Sequence, residues 1–335
     1  MSDPVRVGLN GFGRIGRNVM RASLDNDNVE IVGINDVMDD SEIDYFAKYD
    51  TVMGELPGAG VEDGVLSVDG TDFEAGVFHE TDPTELPWDE LDVDVAFEAT
   101  GIFRTYDDAA QHLEAGADKV LISAPPKGDK EVKQIVYGVN EDEYDGEDVV
   151  SNASCTTNSI TPVAKVLDDA FGIESGQLTT VHAYTGSQNL MDGPNSKPRR
   201  RRAAAENIIP TSTGAAQAAT EVLPQLEGKL DGMAIRVPVP NGSITELVVD
   251  LEDDVTEEEV NAAFEDAASG ELEGTLGVTD EEIVSSDILG DPYSSQVDLN
   301  STNIVNGLTK ILTWYDNEYG FSCRMLDVAE YITEN

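Results

Sequence analysis

Over the first 150 residues, short apolar runs with strand-like patterning alternate with segments whose apolar positions recur at helical spacing. Val5-Arg6-Val7-Gly8-Leu9 reads as a strand, followed by a helical stretch through Arg21-Ala22. Residues 29–34 form the next apolar run. Shorter ones at 65–68 and 73–78 are set apart by Asp69-Gly70, a turn dipeptide. Residues 93–98 predict a core strand with Ala99-Thr100-Gly101 as its turn. A helix over 106–115 stops at Gly116, and a strand over 119–123 ends at Ala124-Pro125-Pro126. Strands alternating with helices predict a doubly wound parallel sheet.

Beyond residue 150 the pattern changes. A helix over 160–171 precedes a strand over 177–185, on which Thr180, His182 and Tyr184 share a face. Residues 186–202 are rich in Gly, Pro, Asn and Ser and carry no apolar period, which predicts a long ordered loop or lid. Thr211-Ser212-Thr213-Gly214 caps a helix over 215–223. Strands follow over 232–239, 244–251 and 309–315, with an acidic helix opened by Thr256 and Glu259 as a capping box, and a terminal helix over 321–332. The expected organisation is α/β: residues 1–154 as a doubly wound domain, and 155–317 as an α+β domain with a mostly antiparallel sheet. A C-terminal helix, about 318–335, packs back on the first domain.

Composition narrows the class. The chain has 335 residues, 40% of them hydrophobic, enough for two ordinary cores. No apolar run is long enough to span a membrane, and Met1-Ser2-Asp3-Pro4 leads into the first strand without a signal-peptide pattern. Cys155 and Cys323 are the two cysteines, far apart, and do not read as a disulfide framework; a cytoplasmic location is expected. Charge is the anomaly: 67 acidic residues against 20 basic ones leave a formal net charge of −47. The acids are spread along the whole chain, and in dilute buffer their repulsion strains a compact state. At ~1 M salt the Debye length is only ~3 Å, so adaptation to a salt-rich cytoplasm is the expected reading. Nucleic-acid and membrane-surface partners, both anionic, are disfavoured.

Gly11, Gly13 and Gly16 spell G-x-G-x-x-G between a strand and a helix. Asp36 closes the next strand, ~20 residues on, where a carboxylate holds a ribose 2′-hydroxyl and repels a 2′-phosphate. This predicts a Rossmann dinucleotide site with NAD preferred over NADP. Ser123 falls at the carboxyl edge of a strand, where such sheets bind ligands.

Ser151-Asn152-Ala153-Ser154-Cys155-Thr156-Thr157-Asn158 is small and polar and precedes a helix. A thiol there lies among N–H groups without intrahelical acceptors, an environment that favours thiolate. The bland alternative is a buried, inert cysteine. His182, by itself more typical of a satisfied core histidine, gains weight from its company: a candidate thiolate and a hydride acceptor. His79 and His112 read as structural, and Cys323 as core.

Arg199-Arg200-Arg201-Arg202 holds four of the 20 basic residues, as a phosphate clamp or as a salt-bridge partner for nearby acids. Arg236 stands opposite the apolar face made by Ile235 and Val237, where an unpaired charge is costly; an anion is its expected partner. Thr185, Thr213 and Gly214 can add donors.

Together, residues 10–17, Asn35-Asp36, 151–158, 182–185, 207–217, 232–238 and Trp314-Tyr315-Asp316-Asn317-Glu318 resemble, in order, the motifs of the phosphorylating glyceraldehyde-3-phosphate dehydrogenase family. The likeness runs from about Val5 to Ala329, and Ala153-Ser154-Cys155-Thr156-Thr157-Asn158 is its most specific stretch. It implies reversible, NAD-dependent oxidation of a triose phosphate with inorganic phosphate, in glycolysis or gluconeogenesis. Cys155 is then the covalent nucleophile and His182 its proton acceptor. It implies cofactor contacts at Gly11, Gly13, Arg14, Ile15, Gly16, Asp36, Ser123 and Asn317. One phosphate site would use Thr185, Arg236 and Arg199 or Arg200, the other Ser154, Thr156, Thr213 and Gly214. A homotetramer is implied, and no metal. Thr81 before Asp82-Pro83, and Met191-Asp192-Gly193-Pro194, depart from the family pattern near the cofactor. An erythrose-4-phosphate dehydrogenase and a non-catalytic NAD-binding regulator are the alternatives.

Overall fold

The computed structural model describes residues 3–335, so Met1 and Ser2 of the N-terminal reading lie outside the described residues. The chain divides into two compact units. One holds the chain through Tyr137, Glu141–Ser154 and Ser322–Asn335; the other holds Gly138–Asn140 and Cys155–Phe321.

The first unit is built on nine strands: β1 (Val5–Asn10), β2 (Val29–Asn35), β3 (Ala59–Glu62), β4 (Val65–Val68), β5 (Glu74–Phe78), β6 (Val95–Glu98), β7 (Lys119–Ile122), β8 (Lys133–Gln134) and β9 (Val149–Ser151). They lie in the order β3-β4-β5-β2-β1-β6-β7-β9-β8. Pairings from β5 through β8 are parallel, and only β3, β4 and β5 form an antiparallel meander at one edge. The helices are α1 (Arg14–Ser23), α2 (Asp40–Lys48), and two single turns, α3 (Tyr106–Ala109) and α4 (Gln111–Glu114). The single helix expected over 106–115 is thus interrupted at Ala110. Helix α2 was not anticipated, although Asp39 and Glu42 form a complete capping box around its start.

The parallel register sets Asn10 beside both Asn35 and Glu98 at the carboxyl ends of their strands. There a buried polar network forms. Asn10 Nδ2 donates to Glu98 Oε2 at 2.7 Å, and Asn35 Nδ2 to Asn10 Oδ1 at 2.8 Å. The Trp88 indole N–H donates to His112 Nδ1 at 3.1 Å, which leaves the proton on Nε2, 3.3 Å from Glu98 Oε2. Glu98 also accepts from the Thr100 N–H at 2.9 Å. A buried carboxylate is tolerated when its lone pairs are filled in this way.

The second unit carries β10 (Ile173–Ala183), β11 (Ile209–Ser212), β12 (Leu230–Val237), β13 (Ser243–Leu251), β14 (Leu276–Thr279), β15 (Ser295–Asp298), β16 (Asn303–Val305) and β17 (Leu308–Tyr315). Its helices are α5 (Cys155–Phe171), α6 (Ala215–Val222) and α7 (Glu257–Ala268), and the chain ends in α8 (Tyr319–Glu334). The sheet order is β11-β12-β10-β13-β17-β15-β14, with β16 on β17, and its pairing is mostly antiparallel. Strand β13 shows strict alternation of buried and half-buried positions, the mark of a one-sided sheet packed under a helix. Thr256 and Glu259 make the expected capping box of α7.

Strands β10 and β17 are both antiparallel to β13, and β12 is parallel to β10, so three carboxyl ends point the same way. Helix α5 lies on this sheet, tied through buried hydroxyls: Ser159 to Ser295 at 3.3 Å, and Thr156 to Tyr315 at 3.0 Å. It begins at Cys155 itself, a turn and a half before the expected start, and runs through Pro162 as one element. Strand β10 ends at Ala183, so Tyr184 and Thr185 lie in the following loop and not on the strand.

Candidate active site

In the first unit the glycine motif does three separate things. Gly11 has φ +103°, and a Cβ there would lie 2.7 Å from the backbone of Ala99 and Thr100. A Cβ on Gly16 would fall 2.0 Å from the Gly11 carbonyl, so only glycine lets α1 approach the turn. Gly13, the N-cap of α1, has open space where its side chain would be and makes no side-chain cap hydrogen bond. The start of α1, with Arg14 and Ile15 half-buried behind it, therefore suits a pyrophosphate. The Asp36 carboxylate is held at the end of β2 by the Phe12 N–H at 2.7 Å and the Met38 N–H at 3.0 Å, positioned for a ribose hydroxyl. The Arg14 side chain is committed to an ion pair with Asp50. Ser123 follows β7, its N–H bonded to the Glu98 carbonyl at 3.0 Å. These donors fit NAD. Asn317 lies in the second unit instead: its Oδ1 accepts from Ser243 at 2.7 Å, and Ser243 Oγ accepts from the Ala183 N–H at 3.1 Å, next to His182.

The second unit brings Cys155 and His182 together. Cys155 Sγ is 3.5 Å from His182 Nε2. The turn that delivers the thiol is strained: Ala153, fully buried, has φ +55°. Tyr315 packs edge-on against the imidazole at 6.0 Å, and its hydroxyl bonds Thr156 and, at 2.8 Å, Thr180. Burial, followed by the adjacent Cys155, pushes the Tyr315 phenol up to about 12, so it stays neutral as a hydrogen-bonding strut.

The electrostatics of the pair differ from the expectation that the helix end would favour thiolate. Burial pushes the Cys155 thiol up, outweighing Arg236 and the bonds from Thr156 that act the other way. Burial also pushes His182 down to about 3, helped by the Arg236 guanidinium and opposed by the Ala183 carbonyl. Burial thus disfavours the charged form of each partner, against the pull of Arg236 and the helix start on the sulfur.

Arg236 is the direct register partner of His182 across β12 and β10. Its Nη1 lies 2.8 Å from His182 Nδ1 and 2.8 Å from the Ala183 carbonyl, while its buried Nε has no partner among the described residues. The four-arginine run separates by geometry. Arg200 donates to Thr211 Oγ1 at 3.2 Å and to Ser187 Oγ at 3.1 Å, and Ser187 in turn meets Thr185 Oγ1 at 2.9 Å. Arg199 reaches the Pro210 carbonyl, Arg201 the Asn195 carbonyl, and Arg202 pairs with Asp192 at 2.8 Å. Arg200 is thus the member that joins Thr185, and Arg202 the one that bridges an acid.

Lys197, which sequence reasoning missed, bonds Ser212 Oγ at 2.8 Å. Burial and then repulsion from Arg200 and Arg236 lower its pKa; burial also lowers those of Arg200 and Arg236. Three cations gathered with no carboxylate bridging them among the described residues are unusual in a chain of net charge −47. The signal for Lys197 was available in principle, as one of few basic residues two positions before the arginine run. Thr213 accepts from the Ala215 N–H at 3.1 Å, and Gly214 is the open N-cap of α6. Ser154 precedes the thiol directly and is half-buried. Cys323 is also only half-buried, less enclosed than expected.

Comparison with known proteins bears on this geometry. The family description "Glyceraldehyde 3-phosphate dehydrogenase, NAD binding domain" matches residues 5–106, and its C-terminal domain counterpart matches residues 154–317. A glyceraldehyde-3-phosphate dehydrogenase of Haloarcula vallismortis is 87% identical over 334 residues, covering 100% of both chains. Glyceraldehyde-3-phosphate dehydrogenase 1 of Bacillus subtilis and the glyceraldehyde-3-phosphate dehydrogenase of Geobacillus stearothermophilus are each 52% identical, over 98% of both chains.

Proposed function

The chain belongs to the glyceraldehyde-3-phosphate dehydrogenase family, and from that premise we propose that it oxidises glyceraldehyde 3-phosphate to an acyl phosphate, with NAD and inorganic phosphate, through a thioester on Cys155. The observation that carries the mechanism is the 3.5 Å approach of the Cys155 thiol at the start of α5 to His182 Nε2.

His182 takes the thiol proton as sulfur attacks the aldehyde carbon, and a thiohemiacetal forms. The backbone N–H of Cys155, at a helix start with no intrahelical acceptor, is the donor for its oxyanion. Bound NAD supplies the hydride acceptor for conversion to the thioester; Gly11, Gly13, Arg14, Ile15, Gly16, Asp36, Ser123 and Asn317 are the residues assigned to hold it. His182 returns the thiol proton to the oxyanion, which becomes a hydroxyl, and takes that proton back in the conversion. An oxygen of inorganic phosphate then attacks the thioester carbon, and Cys155 leaves as thiolate and recovers its proton from His182. The substrate phosphate is assigned to Thr185, Arg200 and Arg236, with Lys197 adding charge. The attacking phosphate is assigned to Ser154, Thr156, Thr213 and Gly214.

The test is a single turnover without phosphate. One equivalent of NADH per site, and an acyl adduct located on Cys155 by mass spectrometry, are expected. Cys155→Ser should give neither while still binding NAD; a burst from that variant refutes the nucleophile. A higher kcat/KM for erythrose 4-phosphate, independent of phosphate, would move the protein to the neighbouring specificity.

The charge supports function in a salt-rich cytoplasm. Among the described residues Glu98, Asp298 and Asp316 are buried, the buried Asp50 side chain is paired with Arg14 and Asp327 with Arg324, and most of the other acids are exposed or half-buried, so the self-repulsion lies mainly at the surface, where ions screen it. The two free cysteines suit a reducing compartment, and among the described residues no helix is long and apolar enough to cross a membrane. Loss of structure or assembly on dialysis to low salt is expected; full activity in dilute buffer overturns the halophilic reading. We assign a homotetramer, supported by exposed Leu190 and Met191 on the loop after β10, and light scattering at working salt tests it.

A further inference from the structure

The side-chain amide of Asn317 can meet a ligand with its oxygen or with its nitrogen, and its surroundings in the second unit leave only one choice. Ser243, the first residue of β13, lies opposite Tyr315, the last residue of β17, and the chain then turns through Asp316 to Asn317. Ser243 is buried, and its Oγ accepts from the Ala183 N–H at 3.1 Å. The hydroxyl proton needs an acceptor of its own, and Asn317 Oδ1 is the one it meets, at 2.7 Å. The amide oxygen is therefore occupied. Nδ2, with two N–H groups to give, has no partner among the described residues and is not sealed from solvent. Asp316 holds the two segments in this relation. Its buried carboxylate accepts from Asn241 Nδ2, two residues before Ser243, at 2.8 Å. It also accepts from the N–H groups of Glu318 at 2.8 Å and Tyr319 at 2.9 Å, just beyond Asn317, and from the Gly290 N–H at 2.8 Å. Hydrogen bonds to a carboxylate are the strong ones, and four of them fix both turns.

We propose that Ser243 is a positioning residue that sets the polarity of Asn317, so that this amide meets NAD only as a donor, to the carboxamide oxygen of the nicotinamide. The carboxamide is the one polar substituent of that ring, with an oxygen that accepts and an NH2 that donates. A free asparagine amide pairs with either end by turning over. One whose oxygen is held by a buried hydroxyl pairs only with the oxygen, and so selects one pose of the carboxamide. The same hydroxyl is fixed by the backbone of Ala183, the residue after His182, so the amide is braced against the strand end that carries the histidine. Ser243 acts through Asn317 and not on the ring itself. This rests on the assignment of Asn317 to NAD made above.

Calorimetric binding to the full-length, NAD-free enzyme at working salt reads this apart from turnover. ADP-ribose, which is NAD without its nicotinamide, is the control ligand. Ser243→Ala should raise the Kd for NAD about three- to tenfold and leave that for ADP-ribose within about twofold, as loss of one oriented hydrogen bond warrants. On an Asn317→Ala background the same change should add nothing further to the Kd for NAD. Equal losses for both ligands, an unchanged Kd for NAD, or additive effects of the two substitutions overturn the proposal. The wild type offers a measurement that needs no variant. The 3-acetylpyridine analogue of NAD keeps the carbonyl oxygen and replaces the NH2 by methyl; it should bind within about threefold of NAD. The thionicotinamide analogue, whose sulfur accepts weakly, should bind less tightly than either, and the reverse order refutes the donor polarity. If Asn317→Ala leaves the Kd for NAD unchanged, the cofactor assignment of Asn317 fails along with the proposal. If it weakens NAD while Ser243→Ala does not, the assignment stands and the positioning role fails.

Discussion

Two buried histidines, one in each unit, differ in what their nitrogens meet. His112 is closed on both sides: an indole N–H fills Nδ1, and Nε2 faces Glu98, which has other donors besides. Every partner there is part of the fold, and protonating Nδ1 would cost the Trp88 hydrogen bond. His182 is equally enclosed, but its Nε2 faces a thiol and its Nδ1 is contested between a carbonyl and an arginine. A closed hydrogen-bond set makes an imidazole into scaffolding, whereas a contested one makes it a group whose proton can move.

That contrast can be broken in four ways. His182→Gln should lower kcat by on the order of 10²–10⁴-fold while costing less stability than the change at His112; equal loss from both histidines would erase the distinction. His112→Ala should destabilise the first unit by about 3 kcal/mol, through an orphaned indole N–H, a weakened Glu98 shell and a cavity. Enzyme that remains folded should keep near-normal kcat, and denaturant unfolding paired with active-site titration separates the two effects.

The third concerns acid. His182 is held at about 3 when folded, against the ordinary 6.5. Between those values the unfolded chain binds the extra proton, so this residue's contribution is intact above about pH 6.5 and is lost as pH falls towards 3. His182→Gln should therefore lose less stability than wild type over that window, by a few kcal/mol at most, in urea titrations compared at matched salt. Parallel acid curves would mean that the imidazole is not held neutral by its surroundings. The smallest effect belongs to Lys197→Ala, which should raise KM for glyceraldehyde 3-phosphate about three- to tenfold with little change in kcat, as loss of one partly exposed cation warrants. A fall in kcat with KM unchanged would place Lys197 elsewhere in the cycle.

Local rules carried much of this architecture. The glycines of residues 11–16 and Asp36 were legible because each answers a constraint within a few residues: a positive φ, a close backbone approach, a strand end. The capping box at Thr256 and the strand 244–251 were legible for the same reason. The Cys155–His182 contact was not, because it is made by α5 lying across β10, a matter of packing and not of spacing. Nor could the order of residues choose among four consecutive arginines; the 3-10 turn over Pro198–Arg201 sends each guanidinium a different way. The thiol's surroundings were legible only in part: the helix-end argument treats the field of nearby N–H groups, while burial, which pushes the thiol up, depends on everything packed around it. The broken helix near Ala110 and the early start of α5 are boundary effects that periodicity resolves poorly.

The first unit closes only with residues 322–335, made after the whole second unit. From Ser322 onward α8 belongs to it, contributing buried Met325, Leu326, Val328, Ala329 and Ile332, and Glu330 accepts hydrogen bonds from Asn26 and Asn28 at 3.0 Å. On the ribosome, the whole stretch Cys155–Phe321 must be made between the two parts of that unit. At ~5–20 residues per second this takes on the order of ten to thirty seconds. During that interval the nascent nucleotide-binding sheet waits with an apolar surface uncovered, so residues 322–335 set the moment at which this unit can close.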